Sequence, residues 1–230
     1  MEQEVLRVDF TQPVPLFPLP NFVLLPHATV PLHIFEPRYR VLTKESLEDQ
    51  GLIALASFDG DEWLANYEGN PALRSHVCVG SIAKHERFPN GRYNLLLQGV
   101  CRARIIDELD PAQYRTAIVE ATETNLPMEI DLDSHRQRIE AFLDDPLLKT
   151  LKSVNAIHQW LSREMPTTAV VDLAIMTMCQ DLDQRYAMLV ESDAVLRAEW
   201  LERMLRSTQR MLEIADRLDS VTDEDGVHLN

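Results

Sequence analysis

The spacing of prolines in residues 14–40, VPLFPLPNFVLLPHATVPLHIFEPRYR, constrains this chain more than any other feature. Prolines stand at Pro15, Pro18, Pro20, Pro26, Pro31 and Pro37, and apolar residues fill most places between them. A proline cannot donate to a β-ladder, so the stretch cannot be an ordinary interior strand throughout. It reads as two short edge-type strands, near Val14–Leu19 and Thr29–Phe35, joined by a stiff apolar loop. Glu36-Pro37-Arg38 then opens a helix, because proline fits the first helical position and an acidic group suits a helix N-terminus. Apolar residues mostly belong to cores. A loop as apolar as Asn21–His27 is also a binding surface wherever it stays exposed.

Composition narrows the partners. The chain has 230 residues and a formal net charge of −15. Through Asn125 there are 11 basic against 17 acidic residues, and in the rest 11 against 20. Neither part hides a basic module, so nucleic acid and anionic membranes are disfavoured as partners. Cys78, Cys101 and Cys179 are widely spaced, with no Cys/His ligand pattern, and read as small buried residues rather than a zinc site. The acidic start MEQEVLRVDF does not resemble a signal peptide, and no apolar run approaches the ~20 residues that span a bilayer. The expectation is a cytoplasmic protein.

Along the chain, residues 38–49 read as a short helix stopped by Gly51. Leu52–Phe58 reads as a buried strand, and residues 59–75 as a loop with a weak strand near Trp63. His76–Phe88 alternates as a strand, with Gly80 as a bulge or close-approach point. Pro89-Asn90-Gly91 is the strongest hairpin signal in the chain. Arg92–Gln98 returns, Gly99 turns, and Val100–Leu109 and Tyr114–Glu123 follow as strands. After Leu126-Pro127 the period becomes helical. Helices are expected from Asp133 or Ser134 to about 144, at 147–164, at 168–179 and at 183–191. The longest runs from about Ser192 to 220, with an apolar face that includes Leu196, Leu201, Leu205, Met211 and Leu218.

The stretch PLFPLPNFVLLPHATVPLHIFEPRYR resembles the opening motif of the N-terminal, substrate-recognition (PUA-like) domain of Lon proteases. The VGSIA strand, the NGRYNLLLQG hairpin and the CRARI strand are similar to that family too, as is the helical segment DLDQRYAMLVESDAVLRAEWLERML. The resemblance implies an α+β fold: a PUA-like β-barrel or pseudo-barrel over residues 1–125, then a helical subdomain over 126–220 ending in a long helix. A flexible acidic tail at 221–230 is expected. One departure stands in the loop. The family usually has a glycine where this chain has His27, at a place suited to left-handed backbone.

Catalytic patterns are missing from the sequence. There is no GxxxxGK[ST] phosphate loop, and the resemblance implies the recognition part of a protease without ATPase or protease domains. His33 lies between Leu32 and Ile34 and points opposite to both. Glu36, Arg38 and Arg40 suit an ion-pair knot beside it. Pro31, His33, Phe35, Glu36, Pro37, Arg38 and Tyr39 are therefore read as architecture. His76 and His85, nine residues apart on one strand, do not make a metal site. The expectation is a non-enzyme with no cofactor and no metal.

The leading functional expectation is a protein- or peptide-binding module, an adaptor in proteolysis or quality control. Its partner would be an unfolded or degron-bearing polypeptide, or a protease or chaperone. Phe22, Leu24, Leu25, His27 and Phe88 are the candidate peptide contacts. The alternatives are a small-molecule sensor with a pocket in the β-domain and an RNA-binding PUA-like protein, the latter disfavoured by charge. The residues specify no oligomeric state.

Overall fold

The computed structural model describes residues 9–110, 113–122, 127–161 and 165–224. Two compact units emerge: Met1–Asn125 with Cys179–Ser192, and Leu126–Met178 with Asp193–Asn230. The first carries strands β1 (Val14–Leu19), β2 (Thr29–Ile34), β3 (Leu52–Ser57), β4 (His76–Arg87), β5 (Tyr93–Leu109) and β6 (Thr116–Ala121). Helix α1 (Pro37–Glu48) lies between β2 and β3. The sheet order is β2-β5-β4-β3-β1-β6, and β6 pairs again with β5, so five strands close into a barrel and β2 lies outside the closure. Its interior is filled by buried residues including Leu16, Ala54, Val77, Val79, Ala103 and Val119.

Strand β1 is not the edge strand expected from its prolines. It lies between β3 and β6. The N–H of Leu16 donates to the Arg115 carbonyl, 2.9 Å away on the β6 side. N–H directions alternate along a strand, so position 18 also faces β6 while position 15 faces β3. But β6 pairs only Val14 and Pro15, and β3 pairs from Leu16 onward. Each proline stands where its own side of the ladder has ended.

Strand β2 is a true edge. Gly99 exchanges backbone hydrogen bonds with the segment before β2, its N–H donating to Ala28 and its carbonyl accepting from His27. Alternation then turns Leu97, Leu95 and Tyr93 toward β2, bonding Val30, Leu32 and Ile34. Thr29, Pro31 and His33 face outward, and Pro31 removes the middle donor from the open edge.

Strand β5 runs through Gly99 without turning. A Cβ there would lie 2.4 Å from the Leu25 carbonyl oxygen, so glycine is required by close approach rather than by a turn. Gly80 does mark a bulge, at the register shift between Val79 and Gly80. The region near Trp63 forms a 3₁₀ turn, Glu62–Leu64, instead of a strand.

The second unit contains α2 (Glu129–Leu143), α3 (Lys152–Trp160), α4 (Thr167–Met178) and α6 (Ala194–Glu224). Helix α2 starts before Asp133 because the Asp131 carboxylate accepts the Met128 N–H at 3.2 Å. Leu132, Ile139, Leu143, Val154, Ile175 and Leu201 are buried in its core. Buried Arg197 and Asp172 form an ion pair at 3.4 Å, although the Arg197 Nε–H is not aligned on the carboxylate as a hydrogen bond. Helix α6 buries only part of the face that the periodicity suggests: Leu201 and Leu205 are buried, while Leu196 near its start and Met211 and Leu218 farther along are exposed.

Helix α5 (Leu182–Val190), counted with the helices on sequence grounds, belongs to the barrel unit. Asp181 caps it by accepting the Gln184 N–H. The Tyr186 hydroxyl then accepts the His76 N–H at 2.9 Å, and buried Arg102 donates to the Met188 carbonyl. The acidic tail expected at 221–230 lies largely outside the described residues, and α6 itself continues to Glu224.

Candidate functional site

A cavity of about 460 Å³ opens in the barrel unit, and Glu36, Pro37, Arg38 and Tyr39 of EPRYR form one wall. Pro37 starts α1 and leaves Glu36 as an extended N-cap, so Glu36 and Arg38 project to one side while Tyr39 turns inward. Tyr39 is buried, its ring 4.3 Å from that of Phe17. The Arg38 guanidinium lies 4.6 Å over the Tyr39 ring and 4.7 Å over Tyr67. It also pairs with Glu36 at 3.1 Å. Tyr67 donates its hydroxyl to Glu36 at 3.2 Å. An arginine held by two rings and a carboxylate is fixed in orientation, which is what a recognition surface needs.

The remaining walls come from far along the chain. Phe58 meets Tyr67 edge-on and stacks on Trp63 at 5.7 Å. Pro18 and Pro71 supply flat apolar surface, and Glu68, Asn70 and Gln113 supply polar groups. Tyr114 donates to Glu45 at 2.5 Å, and Arg115 makes a forked ion pair with Glu108. Burial and the Glu45 contact push the Tyr114 hydroxyl pKa up to about 12. Burial also pushes the Tyr39 hydroxyl above its ordinary range, aided by Tyr67. Both tyrosines are therefore neutral hydrogen-bonding groups at physiological pH, not bases. Burial would lower Arg38, but Tyr39, Glu36 and Tyr67 together raise it, so it stays charged.

A smaller hollow of about 230 Å³ lies beside it, lined by Phe22, Phe58, Trp63 and Asp183 among others. Of the sequence candidates, only Phe22 reaches it, half-buried. Leu24 and Leu25 are 1% and 0% exposed, so they are core residues and not an open face. Their burial follows from the close approach of Leu25 to Gly99. His27 is exposed at φ 65°, so it keeps the left-handed backbone that the family's glycine would suit. Phe88 lies elsewhere, at the β4–β5 turn, with its ring 6.4 Å from His33. Phe35, 57% exposed, also lies beside His33 with ring centroids 6.2 Å apart, and the His33 Nδ1 bonds Asn94 at 2.8 Å. The five candidates therefore do not form one site.

What the sequence missed is the company Glu36 and Arg38 keep. Only the pairing of Phe58 with Leu73 across the 59–72 loop, and the return of β6, bring Tyr67 and Tyr114 to them. Among the described residues, no group of three or more His, Cys, Asp or Glu could hold a metal ion. The arrangement offers aromatic faces, proline faces and fixed polar groups: it can hold a chain segment and shows no nucleophile–base pair.

The fold defines a class first: a β-barrel unit followed along the chain by a helical unit. Residues 13–207 match the family described as the ATP-dependent protease La (LON) substrate-binding domain, and the chain belongs to that family. Lon protease 2 of Myxococcus xanthus is 23% identical over 229 residues, covering 93% of this chain and 26% of that protein. Lon protease of Desulfosudis oleivorans is 23% identical over 216 residues. The chain spans about a quarter of the length of these curated relatives. In fold it is similar to the N-terminal domain of Mycobacterium avium complex Lon protease. There the TM-score is 0.61 at 15% identity, over 85% of this chain and 98% of that one. The Lon N-terminal domain protein from Xanthomonas campestris gives a TM-score of 0.57 at 20% identity, over 83% and 96%.

Proposed function

We propose that this chain is a non-catalytic module that recognises unfolded or degron-bearing polypeptide, working as an adaptor in proteolysis or quality control. The observation that carries the proposal is the cavity at EPRYR in a domain whose family is described as substrate-binding. Aromatic and proline faces take apolar side chains, while Arg38, Gln113 and Asn70 meet backbone polar groups. A cytoplasmic location suits three free cysteines, and no described helix is long and apolar enough to cross a membrane. The test is binding of a labelled, permanently denatured model protein, compared between the native chain and variants in the cavity wall.

A second reading, a small-molecule sensor, is favoured by one observation. The cavity volume of about 460 Å³ falls within the ordinary range of small-ligand sites, roughly 300–1,000 Å³. A thermal-shift screen separates the two, since a ligand that binds only the native state raises Tm with concentration.

A further inference from the structure

The helical unit carries a second feature that the cavity at EPRYR does not use. Helix α6 places Arg203, Arg206, Arg210 and Arg217 at steps of three, four and seven residues, which is one face of a helix. Glu199 and Glu213 lie on the same stripe, so it carries four arginines against two glutamates, still an excess of positive charge in a chain of net charge −15. Arg203 is tied to Glu199 at 3.8 Å. Arg206 and Arg210, one turn apart and both exposed, make no ion pair among the described residues. Like charges at that spacing repel, a cost that an incoming anion would remove.

Beside them is an apolar slot of about 290 Å³ between α2 and α6, lined by Ala141, Phe142, Arg138, Arg206 and Gln209. The Arg206 guanidinium lies 5.9 Å over the Phe142 ring. Arg138 is held by Glu202 at 2.8 Å and Gln209 by Asp145 at 2.8 Å, so the rim is positioned by its own partners. The slot is large enough for one or two side chains and too small for a folded surface.

We infer that this face of α6 docks an acidic polypeptide segment bearing an apolar or aromatic anchor. The anchor enters the slot against Phe142, and neighbouring carboxylates meet Arg206 and Arg210. Charge complementarity selects this occupant: a neutral apolar segment would leave both guanidiniums uncompensated, and an acidic one without an anchor would leave the slot empty. The inference rests on the polypeptide-recognition reading and adds a second, charge-selective contact to it.

The test uses the intact chain and a fluorescein-labelled 12-residue peptide with four aspartates around one phenylalanine. Measured by anisotropy, the peptide should bind, more weakly as salt rises. It should lose about tenfold or more in affinity when its phenylalanine becomes serine, or when the protein carries R206Q and R210Q. Both arginines are exposed, so these variants keep the fold; matching urea midpoints verify it. No binding, or equal binding by the double variant, overturns the inference. So does a single-stranded oligonucleotide that competes fully while the phenylalanine is dispensable, because the face would then be an anion site without an anchor. Denatured, neutral model protein is measured in parallel. If it binds the native chain while the acidic peptide does not, the inference alone fails; if neither binds, the recognition reading fails with it.

Discussion

The carbonyl oxygen of Leu25 stands 2.4 Å from where a Cβ on Gly99 would be. That approach seats the apolar loop of residues 21–27 on strand β5 and explains why Leu24 and Leu25 are buried. A methyl group there must displace backbone on one side or the other. Gly99→Ala is expected to destabilise the chain by about 3 kcal/mol, read as a lower urea midpoint. An unchanged midpoint would mean that the loop moves freely.

His27 tests the same loop from its conformation. At φ 65° a side chain costs roughly 1 kcal/mol, and a β-branched one costs more. His27→Val should destabilise by about 1–2 kcal/mol. His27→Gly should lie within about 1 kcal/mol of the native chain, because relief of strain is offset by the freedom glycine gains when unfolded. Equal stability of both variants would remove the left-handed constraint.

The cluster of buried His135 and Glu202 with exposed Arg138 predicts a dependence on pH. Burial alone would raise the Glu202 pKa, but hydrogen bonds from Arg138 and His135 outweigh it and hold the carboxyl below its ordinary value. A carboxyl depressed in the folded state stabilises above its unfolded pKa of about 4.3, and that stability is lost as pH falls through the folded value. Glu202→Gln should therefore be less stable than the native chain at pH 7, by about 2–3 kcal/mol. Urea titrations at pH 7 and at acid pH should show the gap closing. A gap that persists in acid would assign the loss to packing rather than charge.

Asp172 and Arg197 are both buried. Removing the acid alone leaves a guanidinium without its charge partner, so Asp172→Asn should cost about 3–5 kcal/mol. Replacing both by apolar residues of similar size should recover most of it. A small loss for the single variant would show that solvent reaches the pair.

Much of the barrel was legible in residues 14–109, because its signals are local. A continuous apolar run gave β3, alternation gave β4, Pro37 gave the start of α1, and Asn90-Gly91 gave the hairpin, with Gly91 at φ 77°. The edge or interior position of β1 was not legible. Pro15 and Pro18 suggest an edge, and only the lengths of the flanking ladders show why an interior strand tolerates them. The cavity was hidden for a similar reason. Glu36 and Arg38 look like a surface ion pair until Tyr67 and Tyr114 arrive from residues 31 and 78 positions beyond Glu36. Helix α5 was misplaced because its amphipathic pattern does not say which partner buries it. That partner is set by Tyr186 on His76 and by Arg102 on Met188.

The account stands on the cavity at EPRYR as a binding surface for polypeptide. The direct measurement is anisotropy of a labelled, reduced and carboxymethylated model protein, titrated with the native chain and with Arg38→Ala plus Tyr67→Ala. Glu68→Lys, an exposed rim change, guards against loss of fold in the double variant, and urea midpoints are matched for all three. The account predicts saturable binding by the native chain, about tenfold weaker in the double variant and also reduced by Glu68→Lys. Equal affinity in folded variants, or no binding by the native chain, would contradict it.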